Sequence, residues 1–301
     1  MELYQLEYFV AVAQEGSFTR AAKRCLVTQP TLSQQIQKLE RELGQPLFQR
    51  LGRRVELTEA GRVLYEKAQS ILQLAQQAQH EVEEVSGRGM GRVIVGAIPT
   101  IAPYLLPQLV QKFQQQFPQA ELSLEEDLTD HLLAKCAQGE LDLAIMAMPV
   151  KHDQLNVQAL WSEPLLLAVP QGHPLAEKKK LTVRDLAKEP FILLDEMHCL
   201  GEQIVEFCNR QAYSPLVCCR SAQLLTVQEM VALGHGVSLV PQMAAQARPD
   251  PRVVYRRLSG PGPRRTLALV WHKHRFLSGA ARAWLEMIQQ ETARRKKNKS
   301  G

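Results

Sequence analysis

The chain has 301 residues, of which 45% are hydrophobic, and carries a formal net charge of +5. Single hydrophobic cores stop growing at about 250–300 residues, so this length predicts two or three domains. No apolar run approaches the roughly 18 residues that would span a bilayer, and the opening MELYQLEYF lacks the positive start of a secretion signal. We therefore expect a cytoplasmic protein without a membrane partner.

Three short helices are predicted near the N-terminus. The first carries apolar residues at three-and-four spacing and ends at Gly16. Ser17 is placed to cap a second helix, and Thr28 to cap a third whose Pro30 falls in the first turn, where a missing N–H costs little. The third helix ends at Gly44. Two short helices joined by a tight polar turn are typical of a helix-turn-helix that enters the DNA major groove.

The N-terminal end of the third helix carries short polar side chains that suit base edges. Glutamine can pair bidentately with adenine, and a helix N-terminus attracts phosphate. Three arginines then cluster in a predicted β-wing that can reach the DNA backbone or the minor groove, although a solvated polar surface is the alternative interpretation. The candidate DNA-binding residues are Thr28, Gln29, Pro30, Thr31, Ser33, Gln34, Arg50, Arg53 and Arg54.

The motifs TQPTLSQQIQKLE (28–40) and LTEAG (57–61) resemble the winged helix-turn-helix of LysR-type transcriptional regulators. The resemblance extends over essentially the full chain. It implies an N-terminal winged helix-turn-helix with a long linker helix, followed by a periplasmic-binding-protein-like effector domain of two α/β halves. Promoter DNA, RNA polymerase and further copies of the chain, in a dimer or tetramer, are the partners that it implies.

A proline-free segment follows the winged helix-turn-helix domain (1–58) and predicts a linker helix over 59–86. Its long apolar seam has no nearby segment to bury it except another copy, which predicts dimerisation; packing on its own domain is the alternative. The glycines of 87–91 predict a hinge. The seam comprises Ala60, Val63, Leu64, Ala68, Ile71, Leu72, Ala75, Ala78 and Val82.

Strands and helices are predicted to alternate through the effector domain (92–301), which indicates parallel α/β architecture; one strand is predicted over 165–169. The resemblance implies two halves, 92–162 with 266–301 and 163–265, with a cleft between them. Open α/β sheets place ligands at the carboxyl ends of strands. Thr100 and Thr129 each lie just past a predicted strand, so we expect both at a common cleft.

One cysteine pair stands out in the effector domain. Cys199 follows a predicted strand and opens a predicted helix, where the helix N-terminus and His198 would favour the thiolate and lower the pKa of the thiol. Cys208 shares an apolar stripe with Leu200 and Ile204, which predicts a buried, unreactive thiol. Nine residues of helix rise about 13.5 Å, so a disulfide requires the helix to open. The pair is either a conformational switch or two small buried residues in a reducing compartment.

The HCL motif at 198–200 and the FC pair at 207–208 resemble the redox segment of the peroxide-sensing LysR-type regulators. The resemblance implies hydrogen peroxide as a partner and the following roles: Cys199 is peroxidatic, Cys208 is resolving, and Thr100, Thr129 and His198 bind peroxide. The chain departs from those regulators at Gly201, where they carry an arginine that could stabilise a thiolate, and at Met197, where glycine is frequent.

The remaining cysteines are expected to pack as small apolar side chains. Vicinal Cys218 and Cys219 could bind soft metals, and His272 and His274 are a possible ligand pair, but matching ligand spacing is absent elsewhere. We therefore predict no metal site and no cofactor.

Three functions remain open from the sequence. A non-enzymatic transcription regulator would sense peroxide through a Cys199–Cys208 thiol-disulfide switch, and this hypothesis accounts for the largest set of features. A LysR-type regulator controlled by a small organic effector would use the same cleft and leave the cysteine placement to chance. A thiol peroxidase would use Cys199 and leave the helix-turn-helix unexplained.

Overall fold

A computed structural model describes residues 1–51, 54–85, 90–195, 197–260 and 262–297. The chain divides into two compact units, Met1–Arg88 and Gly89–Gly301. Within the described ranges, no helix is both long enough and apolar enough to cross a membrane.

The N-terminal unit contains the three predicted helices, then a two-stranded antiparallel sheet and one long helix. Both predicted caps form: the hydroxyl oxygens of Ser17 and Thr28 accept hydrogen bonds from the backbone N–H groups of Arg20 (3.4 Å) and Thr31 (3.3 Å). The elements are α1 (Leu3–Glu15), α2 (Phe18–Arg24), α3 (Gln29–Leu43), β1 (Phe48–Leu51), β2 (Arg54–Leu57) and α4 (Glu59–Val85).

The apolar residues of α4 are buried in part and exposed in part. Thr58 caps this helix by accepting a hydrogen bond from the N–H of Gly61 at 3.0 Å. One row packs against the helix-turn-helix core and comprises Ala60, Leu64, Ala68 and Leu72. A second row is exposed and comprises Val63, Ile71, Leu74 and Val82. The prediction that another copy of the chain buries the whole seam is therefore wrong for the first row. Helix α4 begins directly after the wing, and this row packs against its own domain.

The C-terminal unit alternates strands and helices. Its elements are β3 (Arg92–Ala97), α5 (Ala102–Gln116), β4 (Glu121–Glu126), α6 (Thr129–Gln138), β5 (Leu143–Ala147), β6 (Leu155–Pro170), α7 (Pro174–Glu177), a 3-10 turn (Val183–Leu186), β7 (Pro190–Leu194), α8 (Cys199–Arg210), β8 (Leu216–Ser221), α9 (Leu224–Ala232), β9 (Ser238–Pro241), α10 (Gln242–Ala247), β10 (Val253–Arg256), β11 (Arg264–His272) and α11 (Gly279–Lys297).

The sheets of this unit are mixed rather than wholly parallel. A seven-stranded sheet has the order β10-β6-β11-β5-β3-β4, with β9 also paired to β6, and β7 pairs with β8 in a second sheet. The pairs β3–β4, β3–β5 and β7–β8 are parallel, whereas every pair that involves β6 or β11 is antiparallel. The prediction of parallel architecture is thus correct only in part, because strand direction depends on long-range pairing.

Strand β6 is 16 residues long, so the predicted strand over 165–169 covers only its end. Its first part, 155–164, pairs with β11, and its second part pairs with β9 and β10. The unit has two hydrophobic cores: one is built mainly from β3, α5, β5, β11 and α11, and the other from the end of β6 with β7, α8, α9 and β9. This unit therefore has two α/β halves that share strand β6.

Candidate functional site

Helix α3 exposes its predicted base-contacting residues at its N-terminal end. Ser33 is half-buried, and the exposed ones are Thr28, Gln29, Pro30, Thr31 and Gln34. The two threonine hydroxyls lie 2.8 Å apart and are engaged within the cap. The amides of Gln29 and Gln34 are therefore the longer groups that can extend to a base edge.

The predicted wing is the β1–β2 hairpin, in which Arg50 pairs with Val55 and Leu51 with Arg54. Arg53 lies outside the described residues, as do the side chains of Arg50 and Arg54. The contact role of these three arginines stays a prediction.

Cys199 is the first residue of α8, as predicted, and β7 ends at Leu194. Before and at the start of the helix, the N–H of His198 donates to the carbonyl of Asp195 at 3.0 Å, and the N–H of Gly201 donates to the carbonyl of His198 at 2.8 Å. The side chain of Asp195 also accepts a hydrogen bond from the N–H of Met197 at 2.9 Å. These bonds fix the entry into the helix and hence the position of the thiol.

The thiol of Cys199 lies in a half-buried, polar environment. Burial raises its pKa above the ordinary value, while the charge of Arg265, a hydrogen bond from the Thr129 hydroxyl and the N–H of Leu200 act in the opposite direction. The expected lowering of this pKa is therefore wrong for the reduced structure, because burial, together with the smaller effect of the negative charge of Glu202, outweighs the three stabilising interactions. A minor thiolate population, held by Thr129 and Arg265, is the species that can attack an oxidant.

Arg265 is the buried centre of this site. Its Nε donates to Glu163 Oε1 at 2.9 Å, its Nη1 to Thr100 Oγ1 at 2.9 Å and its Nη2 to the Thr100 carbonyl at 3.0 Å. The other carboxylate oxygen of Glu163 accepts a hydrogen bond from the N–H of Met243 at 2.8 Å. Arg265 is only 1% exposed, and its three hydrogen bonds, one of them to the Glu163 carboxylate, offset part of the cost of burying the charge.

The structure brings most of the predicted peroxide-binding residues together. The Thr129 hydroxyl lies near enough to the Cys199 thiol to act on its pKa, and Thr100 is linked to the same site through Arg265. Since the Thr100 oxygen accepts the arginine proton, its own hydroxyl proton remains able to donate. His198 is buried at the residue before α8, but its side chain does not cap the helix.

Cys208 is fully buried on the same helix, and burial alone raises its pKa to about 11. It belongs to the core that contains Leu200 and Ile204, whereas Cys199 packs against the core of the other half. All six cysteines are free thiols. Since α8 is continuous between Cys199 and Cys208, they are separated by a helical rise of about 13.5 Å, as predicted.

Gly201 fits a place that no larger residue can occupy. A Cβ atom here would lie 2.5 Å from the carbonyl oxygen of Leu194 and 2.7 Å from that of Asp195. An arginine is therefore excluded from this packing of α8, and the cation beside the reactive thiol comes from Arg265 instead.

Helix α8 is also tied to the first half by Gln203. Its Nε2 donates to the carbonyl of Met148 at 2.6 Å, while its Oε1 is buried without a hydrogen-bond partner. This bond links α8 to the segment between β5 and β6, so it would break if α8 opened.

The chain was compared with known protein families and structures. Residues 3–62 match the model of the bacterial regulatory helix-turn-helix protein, lysR family, and residues 86–293 match the LysR substrate binding domain. This chain belongs to the LysR family of transcriptional regulators.

Relatives of this LysR-type protein include the hydrogen peroxide-inducible genes activator of Dickeya chrysanthemi, 39% identical over 93% of this chain and 92% of that protein. The DNA-binding transcriptional dual regulator OxyR of Escherichia coli strain K12 is also 39% identical, over 90% of this chain and 89% of its own. Among solved structures, the full-length OxyR C199D protein from Pseudomonas aeruginosa has a TM-score of 0.76 and 34% identity, over 97% and 94% of the two chains.

Sequence patterns did not identify Arg265 and Glu163 of this LysR-type protein as site residues. Glu163 lies within β6 and Arg265 within β11, and the register pairs them directly. The sequence contains one signal for this pair: each of two apolar strands carries a charged residue, and a buried charge needs a partner. Their pairing became visible only with the strand register.

Proposed function

We propose that this LysR-type regulator senses hydrogen peroxide through a thiol-disulfide switch between Cys199 and Cys208. The observation that carries the proposal is the placement of Cys199 beside Thr129 and the buried Arg265, with Cys208 on the same helix but in another core. The names of the relatives, which are peroxide-inducible gene activators and OxyR, support the same function.

The first step is a two-electron oxidation of Cys199. Its thiolate attacks one peroxide oxygen, the O–O bond breaks, and the departing hydroxide takes a proton to leave as water. Arg265 stabilises the thiolate and the negative charge that develops on the leaving oxygen. Thr129, Thr100 and His198 hold the peroxide: the Thr100 hydroxyl donates to a peroxide oxygen, whereas Thr129, which donates its proton to the Cys199 sulfur, accepts a hydrogen bond from the peroxide.

The second step joins the two cysteines. The Cys208 sulfur attacks the sulfur of the Cys199 sulfenic acid, the S–O bond breaks, and water leaves with the Cys208 thiol proton. The helix must open first, since a disulfide needs Cα atoms within about 7 Å. Opening exposes Leu200 and Ile204, whose burial stabilises the reduced form by about 1.5–3 kcal/mol each. Formation of the disulfide must offset this cost in free energy. The reduced form and the disulfide form therefore differ in how α8 packs.

The beginning of α8 is suited to opening. Its first turn contains Gly201, which disfavours a helix by about 1 kcal/mol relative to alanine, and its N-cap lacks a side-chain hydrogen bond. An external thiol reductant would reset the switch by reducing the disulfide, consistent with a regulator in the cytoplasm.

DNA binding and assembly complete the proposal. Promoter DNA is contacted by the N-terminal end of α3 and by the arginines of the wing, and two copies pair through the exposed row of α4 defined above. The change in packing around α8 alters the arrangement of DNA-binding domains in the dimer or tetramer and so their contact with RNA polymerase. This function requires one oxidation per switching event, not enzymatic turnover.

The test combines peptide mapping of oxidised protein with DNA footprinting at matched peroxide doses. Wild type should form a Cys199–Cys208 disulfide and change its footprint, whereas Cys199→Ser should keep the reduced footprint. Cys208→Ser should form the sulfenic acid but respond weakly or transiently. Cys136→Ser, which also alters a fully buried thiol, is the matched control and should respond as wild type does.

Two results would reject the proposal. If Cys199→Ser changes its footprint with peroxide as wild type does, an organic effector in the cleft becomes the better account. Sustained peroxide consumption with a thiol reductant, at many equivalents per chain and without a change in footprint, would instead indicate a thiol peroxidase.

A further inference from the structure

Two adjacent thiols in β8 have no part in the proposed switch. Cys218 is exposed and Cys219 is half-buried, and both are free. The parallel register of β7 and β8 is interrupted here: Phe191 pairs with Val217 and Ile192 pairs with Cys219, so Cys218 is an extra residue in the strand. Such a bulge leaves the extra residue unpaired and disrupts the ladder locally.

The two sulfurs contact neighbouring parts of the chain at the end of α9. The sulfur of Cys219 lies 3.8 Å from the thioether sulfur of Met230 in α9. The sulfur of Cys218 lies 3.6 Å from the carbonyl oxygen of His235, whose N–H in turn donates to the Met230 carbonyl at 3.1 Å. Both thiols therefore face the C-terminal turn of α9 and the loop that follows it.

We propose that Cys218, Cys219 and Met230 form a binding site for a soft monovalent metal ion of the Cu(I) class. Two thiolates and one thioether are soft ligands, and soft sulfur ligands select Cu(I) over hard cations. Cys218 is exposed, so an ion can reach it from solvent. Cys219 and Met230 are the half-buried ligands of the site. Within the described residues no group of three or more His, Cys, Asp or Glu is arranged to hold a metal, and the ligand set proposed here differs by including a thioether.

Binding requires a small rearrangement and no redox chemistry. The Cys218 thiol lies within hydrogen-bond distance of the carbonyls of Phe191 and His235, so it must rotate away from them to face the ion. Each of the two thiols loses its proton on binding, and the oxidation state of the metal does not change. Affinity should therefore fall as the pH is lowered.

The test uses the full chain carrying Cys199→Ser and Cys208→Ser, so that the switch thiols cannot compete. Cu(I) is titrated without oxygen against a chromophoric Cu(I) chelator, and the expected result is one equivalent bound per chain. Adding Cys218→Ser or Cys219→Ser should weaken binding by about tenfold or more, and Met230→Leu should weaken it by a smaller factor.

Cys25→Ser in the same background is the control and should bind as the parent does. Alkylation with iodoacetamide, read by peptide mass spectrometry, gives a second readout in which Cu(I) should protect Cys218 and Cys219. Unchanged affinity in the Cys218→Ser and Cys219→Ser proteins, or protection of other cysteines instead, would overturn the proposal. Because the switch thiols are absent, neither result bears on the peroxide function.

Discussion

Replacing Gly201 by alanine is expected to accelerate formation of the Cys199–Cys208 disulfide by destabilising the closed form of α8. The new methyl group would lie 2.5 Å and 2.7 Å from the carbonyl oxygens of Leu194 and Asp195. The backbone of α8 must therefore move about 0.9 Å away from Leu194 to reach an ordinary van der Waals contact. Overpacking of this kind costs about 1–3 kcal/mol, and the better helix propensity of alanine returns about 1 kcal/mol.

The difference leaves a net destabilisation of up to about 2 kcal/mol, and since 1.4 kcal/mol is a tenfold change in an equilibrium, capture of the sulfenic acid should become faster by up to about 30-fold. The assay separates the two steps: trapping of the sulfenic acid follows the Cys199 reaction, and peptide mapping over time follows the disulfide. Gly262→Ala is the matched control, because a Cβ there meets its nearest atom at 3.4 Å. Disulfide formation at the rate of this control, or more slowly, would refute the reasoning.

Four further results are expected. The rate of Cys199 oxidation by peroxide should rise from about pH 6 to beyond about pH 8.5, since burial raises the pKa of this thiol and the thiolate is the nucleophile; a plateau below about pH 8.5 would contradict this. Gln203→Met removes a hydrogen bond worth about 0.5–1.5 kcal/mol but also the buried Oε1 that lacks a partner, so it should speed the disulfide step by less than about tenfold with sulfenic acid formation unchanged, which the same trapping assay measures. Gln29→Ala should weaken DNA binding by about 1–3 kcal/mol at one base position in a binding assay with single-base operator variants, and Gln37→Ala, exposed further along α3, should not. Leu26 is 93% exposed with φ of 55°, so Leu26→Gly should raise the free energy of unfolding by up to about 1 kcal/mol in urea; a decrease would show that the left-handed backbone is not strained there.

The helix-turn-helix was predictable because its signals are local. Capping hydroxyls such as those of Ser17 and Thr28 act on N–H groups three residues away, and Gly44 ends its helix through its own backbone conformation. The same short-range rules predicted that α8 starts at Cys199. They also predicted the burial of Cys208, which lies on the apolar stripe of that helix. Local sequence thus determined the elements and the separation of the two cysteines along the helix.

The electrostatics of the reactive thiol required the tertiary structure. Helix position and a neighbouring imidazole suggested a lowered pKa for Cys199, but desolvation depends on what packs around it, and burial raises that pKa. The cation that opposes this effect, Arg265, lies 66 residues further along the chain and is held by Glu163 from an adjacent strand.

The mixed strand directions and the divided seam of α4 have the same origin. Whether β11 pairs antiparallel with β6, and which face of α4 packs on its own domain, is decided by contacts between residues far apart in sequence. Periodicity specifies which face of an element is apolar, but it does not specify the surface that buries that face. The sequence by itself therefore determined the local elements and the candidate cysteines, while packing decided their protonation, their partners and the only residue that fits at position 201.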